Sequence, residues 1–203
     1  MGLVEKLRLR REVIRRYGKG MVAPTVSIRK GVAAAALPDD PAERIARLCL
    51  GAAAALRNDR LFCSQYDGEL RLEEGVAPAL LVGLDGGRRW IDIPDAGREP
   101  VLREALGGPN AAPHAGGRGK RHQGRLEVLD LSTLGVTDWR GILAAPYVAR
   151  LVLLARTLVP SETGGPPTGW YPLVLDFDHK VADAGRAARF LDDVVARLPG
   201  RTA

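Results

Sequence analysis

The feature that most constrains this chain lies near its C-terminus. An apolar run, Leu173-Val174-Leu175-Asp176-Phe177, reads as a strand and delivers Asp178 and His179. Asp183 stands four residues beyond the histidine, followed by small residues and then a helical pattern. Ala187, Phe190, Leu191, Val194, Val195 and Leu198 form the apolar face of that helix. A histidine at a strand end with a carboxylate nearby suits general-base chemistry, because imidazole exchanges protons near neutral pH. Taken alone, a histidine is more often a surface or packed residue than a catalytic one.

A second block precedes it. Leu126-Glu127-Val128-Leu129-Asp130-Leu131 reads as a strand that ends in Ser132-Thr133-Leu134-Gly135, with a small-residue stretch and Pro146 beyond. A hydroxyl aimed at developing negative charge is a catalytic device. A Ser-Thr pair before Leu-Gly is also ordinary turn chemistry.

The two blocks together resemble the catalytic domains of the dihydrolipoyl acyltransferases of 2-oxo acid dehydrogenase complexes, whose fold and motif chloramphenicol acetyltransferase shares. Asp178-His179-Lys180-Val181 and Ala187-Ala188-Arg189-Phe190-Leu191 match the family's His-x-x-x-Asp-Gly motif and the helix after it, in one register. Ser132 to Gly135 matches the family's Ser-x-Leu-Gly. One position departs: the motif glycine is Ala184, and a glycine follows at Gly185. If the turn needs positive φ at position 184, alanine is strained there and the turn must be rebuilt around Gly185.

The resemblance implies an α/β (α+β) two-layer sandwich of the chloramphenicol acetyltransferase type, a mixed sheet covered by helices. It implies a homotrimer with active sites between subunits. It also implies direct acyl transfer. His179 would deprotonate a thiol or hydroxyl, which attacks the thioester of acyl-coenzyme A. Ser132, from the neighbouring subunit, would stabilise the oxyanion, and Asp183 would hold the motif turn and orient the histidine. Acetyl-coenzyme A is the implied co-substrate and a small molecule the acceptor. The sequence shows no lipoyl domain and no subunit-binding module, so a stand-alone enzyme without a covalent lipoyl group is expected. Family members of that kind acetylate a hydroxyl on tetronate-type polyketide intermediates, which points to specialised metabolism. Two other readings stay open: a degenerate scaffold, and a His179-based enzyme that does not use coenzyme A.

Composition bounds the rest. The length of 203 residues fits a single domain over 1–203. The net charge of +6 could attract nucleic acid or coenzyme A phosphates, but no basic stripe interleaved with aromatics accompanies it, so no nucleic-acid partner is expected. Cys49 and Cys63 make no disulfide framework, with Cys49 expected in the core and Cys63 half-buried. His114, His122 and His179 lack metal-ligand spacing, so no metal is expected. A charged N-terminus and the lack of a long uncharged apolar run predict neither a signal peptide nor a membrane span, and hence a cytoplasmic location.

Along the chain, helices are expected over 3–16, 42–56, 99–106 and 183–198. Strands are expected over 22–33, 62–66, 69–72, 77–84, 88–93, 126–131, 148–159 and 170–177. Asp67-Gly68 marks a hairpin turn. Residues 107–125 form a long Gly-rich basic stretch without the pattern of a P-loop, and read as a mobile basic loop.

Overall fold

The computed structural model describes residues 25–66, 69–72, 79–84, 89–93, 96, 98–107, 124–143, 146–160 and 164–198. The expected N-terminal helix over 3–16, the Asp67-Gly68 turn and residues 108–123 of the basic stretch lie outside them.

Strand β1 (Thr25–Ala33) alternates as its sequence requires: Val26, Ile28 and Val32 pack into the core, while Ser27 and Arg29 face away from it. Helix α1 (Pro41–Asn58) begins where Asp40 Oδ1 accepts the Glu43 amide at 2.8 Å, with Pro41 pre-set at the first helical position. It buries Arg44, Ile45, Leu48, Cys49, Ala52 and Leu56 along one face. Gly51 lets the final helix approach closely, since a Cβ there would lie 3.0 Å from Leu198.

Residues 60–63 form a 3-10 turn (Arg60–Cys63) rather than the expected strand. The Asp59 side chain accepts the Leu61 amide, and Ser64 returns its amide and hydroxyl to the Leu61 carbonyl. These local polar bonds win over the β preference of Phe62. Cys63 is buried, not half-buried, with 6% of its surface exposed. Short strands β2 (Gln65–Tyr66) and β3 (Leu70–Arg71) pair as the hairpin signal predicts. Then come β4 (Leu80–Leu84), β5 (Arg89–Ile93), α2 (Glu99–Gly107) and β6 (Leu126–Asp130).

The long strand expected over 148–159 is split into β7 (Ala149–Leu153) and β8 (Thr157–Val159). Both pair with β9 (Thr168–Asp178), but Leu153 faces Leu173 and Thr157 faces Trp170. Three residues on one strand thus oppose two on the other, which is a bulge. It falls at Pro172, which has no amide to give the ladder. Helix α3 (Ala184–Ala196) closes the fold.

The main sheet runs β1-β9-β7-β6-β4-β5, with β8 on β9. β4, β6 and β7 are parallel, and the other pairs antiparallel. The helices cover one face of this mixed sheet, and Leu48, Leu56, Leu126, Leu151, Leu153, Leu175 and Phe177 are sealed between the layers. On the other face a smaller cluster of Leu129, Leu131, Val152, Leu154 and Val174 packs under Val136 and Trp139. Among the described residues, no helix is long and apolar enough to cross a membrane.

Candidate functional site

The histidine block folds tightly. The Asp178 amide donates to Val148 O, ending β9 beside the start of β7. Asp178 then gathers the turn: its Oδ1 accepts the Lys180 amide at 2.9 Å, and its carbonyl accepts the amides of Val181 and Ala182. Ala182 is buried, which anchors the turn and leaves His179 and Lys180 on the outside. The imidazole lies alongside the Phe177 ring, with centroids 6.3 Å apart and planes 26° from parallel. Among the described residues it makes no hydrogen bond.

Asp183 caps α3, its Oδ1 accepting the Arg186 amide at 2.7 Å. No hydrogen bond from His179 to the Asp183 carboxylate is found among the described residues. Ala184 is the first residue of α3, in helical backbone rather than at positive φ. The strain expected there does not arise, and no rebuilding around Gly185 is needed.

The serine block follows the C-terminal end of β6. The Leu131 amide donates to Leu153 O, and the Leu134 amide to Leu131 O. Gly135 then adopts φ 71°, a left-handed conformation that glycine accepts without a Cβ penalty. The Ser132 amide donates to Asp130 Oδ1 at 2.8 Å. Ser132 Oγ is enclosed and has no hydrogen-bond partner among the described residues.

The sheet register fixes how these blocks relate. Asp130 is level with Leu153, and Leu153 with Leu173, near the middle of β9. His179 follows Asp178 at the far end of β9. Six residues of extended chain, Leu173 to Asp178, separate the two levels, or about 20 Å at the usual rise per residue. One subunit therefore does not bring Ser132 and His179 to a common reacting atom.

Between them runs a polar row on the sheet face away from the helices. Glu127, Arg150, Asp176 and Ser27 lie side by side across β6, β7, β9 and β1. Arg150 Nε donates to Glu127 Oε2 at 2.7 Å. Asp176, wholly buried, accepts from Ser27 Oγ at 2.5 Å and Trp139 Nε1 at 2.8 Å. Asp138 pairs with Arg29, so residues 136–143 are strapped across this face. Burial pushes the Glu127 carboxyl above the usual carboxylate range, while Arg150 pulls the other way.

Burial also raises both cysteine thiols, which leaves little thiolate at neutral pH for a cysteine nucleophile. Among the described residues, no three His, Cys, Asp or Glu side chains gather as a metal-binding cluster.

The sequence reading did not single out Arg44, Asp130, Asp176 or the Glu127–Arg150 pair. The signal was a charge at an apolar position: Glu127 and Asp130 within a strand run, Asp176 within another, and Arg44 on the buried face of α1.

By sequence, no protein-family model and no curated protein matches the chain. By structure, it is similar to a probable dihydrolipoamide acetyltransferase from Listeria monocytogenes, with TM-score 0.73, 16% identity, and coverage of 98% of this chain and 92% of the other. It is also similar to the dihydrolipoamide acetyltransferase of Azotobacter vinelandii, studied for the role of a serine, a histidine and an asparagine in its catalytic mechanism, with TM-score 0.65, 20% identity, and coverage of 96% and 86%. A chloramphenicol acetyltransferase aligns with TM-score 0.61 and 14% identity over 88% of this chain and 87% of its own. The fold is the one shared by dihydrolipoamide acetyltransferase and chloramphenicol acetyltransferase, with the mixed sheet and helical cover that the resemblance implied.

Proposed function

We propose that this chain is an acyltransferase that moves an acyl group, acetyl in the simplest case, from coenzyme A to a hydroxyl or thiol of a small molecule. The observation that carries the reading is His179: an exposed imidazole, without a hydrogen bond among the described residues, held at the end of β9 in an acyltransferase fold. In the A. vinelandii enzyme the histidine and asparagine under study are four residues apart, the spacing of His179 and Asp183 here.

An imidazole nitrogen of His179 takes the proton of the acceptor O–H or S–H as that atom attacks the thioester carbonyl carbon. The carbonyl oxygen becomes an oxyanion and accepts a hydrogen bond from Ser132 Oγ, which has no other partner among the described residues and turns out of its enclosed position to meet it. The C–S bond then breaks, and the leaving thiolate receives the proton from the imidazolium. The products are the acylated acceptor and free coenzyme A. No covalent enzyme intermediate is required, because both substrates meet at one site.

Because Ser132 and His179 leave the sheet at levels about 20 Å apart in one subunit at the usual strand rise, the working site is formed between two copies of the chain. A homotrimer closes such a head-to-tail contact with three equivalent sites. A role in specialised metabolism, with a tetronate-like hydroxyl as acceptor, is the finer form of this reading and rests on the sequence resemblance.

The test is release of free thiol from acetyl-coenzyme A in the presence of a panel of small thiols and alcohols, dihydrolipoamide among them. Saturable, acceptor-dependent release that H179A abolishes supports the reading. Equal release by wild type and H179A overturns it.

A further inference from the structure

We infer that Asp130 and Arg44 are positioning residues that fix the hydroxyl of Ser132. The inference rests on the acyl-transfer reading of Ser132 given above.

The β6 alternation sends Leu126, Val128 and Asp130 toward the helices and Leu129 and Leu131 toward the strap. A carboxylate at Asp130 therefore points into the apolar layer. It meets Arg44, which α1 places on its buried face. Arg44 Nε stands 3.6 Å from Asp130 Oδ2, with side chains only 5% and 8% exposed. Such a pair is a poor stabiliser, because stripping water from two charges offsets most of their attraction, and apolar residues of similar size serve a core as well.

The pair does have a geometric effect. Asp130 Oδ1 accepts the Ser132 amide at 2.8 Å, so the carboxylate clamps the first residue of the turn. Arg44 is held in its own right. It donates to Asp39 O at 2.9 Å and Pro38 O at 3.3 Å, and its guanidinium lies 5.4 Å from the centre of the Tyr171 ring. The start of α1, the guanidinium, the carboxylate and the Ser132 amide thus form one chain of contacts. Thr133 and Leu134 beyond it are exposed and offer little restraint of their own. A serine that must meet an oxyanion needs such a mount, since misplacement by about 1 Å costs on the order of a hundredfold in rate.

The test crosses two conservative variants. D130N keeps an oxygen acceptor for the Ser132 amide and removes the charge. D130E keeps the charge beside Arg44 and displaces the acceptor by one methylene. Both are assayed for thiol release from acetyl-coenzyme A with dihydrolipoamide, alone and in the S132A background. D130E is expected to lose kcat about ten- to a hundredfold with KM for acetyl-coenzyme A little changed, and D130N to stay within a few-fold of wild type. In the S132A background neither change should slow the enzyme further, because residues acting through one group are non-additive. The reverse order, or equal losses with and without Ser132, overturns the positioning role. Should D130E not fold, D130N carries the test through its coupling to Ser132, and a loss of kcat that is the same with and without Ser132 overturns the inference. Absence of transfer by wild type overturns the acyl-transfer reading instead, and the inference falls with it.

Discussion

Asp183 Oδ1 accepts the Arg186 amide at 2.7 Å, so the carboxylate four residues after His179 is spent on the N-terminus of α3. Asp183 thereby joins the histidine turn to the amphipathic helix whose Phe190, Leu191 and Val194 reach the core. Removal of such a cap costs about 1 kcal/mol, whereas asparagine caps as well as aspartate. D183A is therefore expected to melt several degrees below wild type and D183N close to it. Thermal unfolding of the three proteins checks this, and equal melting temperatures for D183A and wild type would remove the cap from the account.

H179A should separate activity from stability. The imidazole is exposed and forms no hydrogen bond among the described residues, so its loss should leave the melting temperature within about 1 °C, as for surface changes generally. Acetyl transfer should fall by about a hundred- to ten-thousandfold, the usual worth of a general base. Steady-state kinetics beside a melting curve give both numbers.

Arg44 and Arg29 should behave oppositely although each faces an aspartate. Arg44 is buried with Asp130, and R44M leaves that carboxylate unpaired in the core at a cost of about 3 kcal/mol or more. Arg29 pairs with Asp138 where the side chains are 46% and 70% exposed, and R29M should change stability by well under about 1 kcal/mol. Urea midpoints of the two variants make the comparison.

Glu127 gives the protein a pH dependence of definite sign. Burial raises its folded pKa, so the native state holds that proton more tightly than the unfolded chain does. Its stabilising contribution is complete below the unfolded value of about 4.3 and is lost as pH rises through the folded one. Relative to E127Q, wild type should therefore lose stability on going from about pH 4 to about pH 7. Urea unfolding across that range would show a constant difference if Glu127 titrated alike in both states.

The parts of this fold legible in sequence were those with strong periodicity. The patterns over 42–56 and 22–33 announced α1 and β1, and the residues from His179 to Leu191 tied a strand end to a helix. Phe62 misled because Asp59 and Ser64 bond the backbone locally, and the strand expected over 148–159 broke because its partner carries Pro172. The first outcome was set by polar residues within three positions of Phe62 that outweigh its β preference, and the second by a partner strand that no single window contains. The site was legible as residue types, and its arrangement between subunits only as what the resemblance implied. Ser132 and His179 each sit in a readable motif, but only the pairing of β6 with β7 and of β7 with β9 shows that they leave the sheet at opposite levels. The buried charges Arg44, Asp130 and Asp176 were hidden because each acquires meaning from a partner on another element.

The central claim is that one working site takes His179 from one subunit and Ser132 from another. S132A and H179A subunits, each inactive by itself, would be mixed by co-expression in equal amounts and assayed for thiol release from acetyl-coenzyme A. Random assembly leaves both residues intact in about one quarter of sites when they come from different subunits of a closed ring. The account expects about that fraction of wild-type activity to return. Activity no higher than that of either parent, in assemblies shown to contain both subunits, would contradict it.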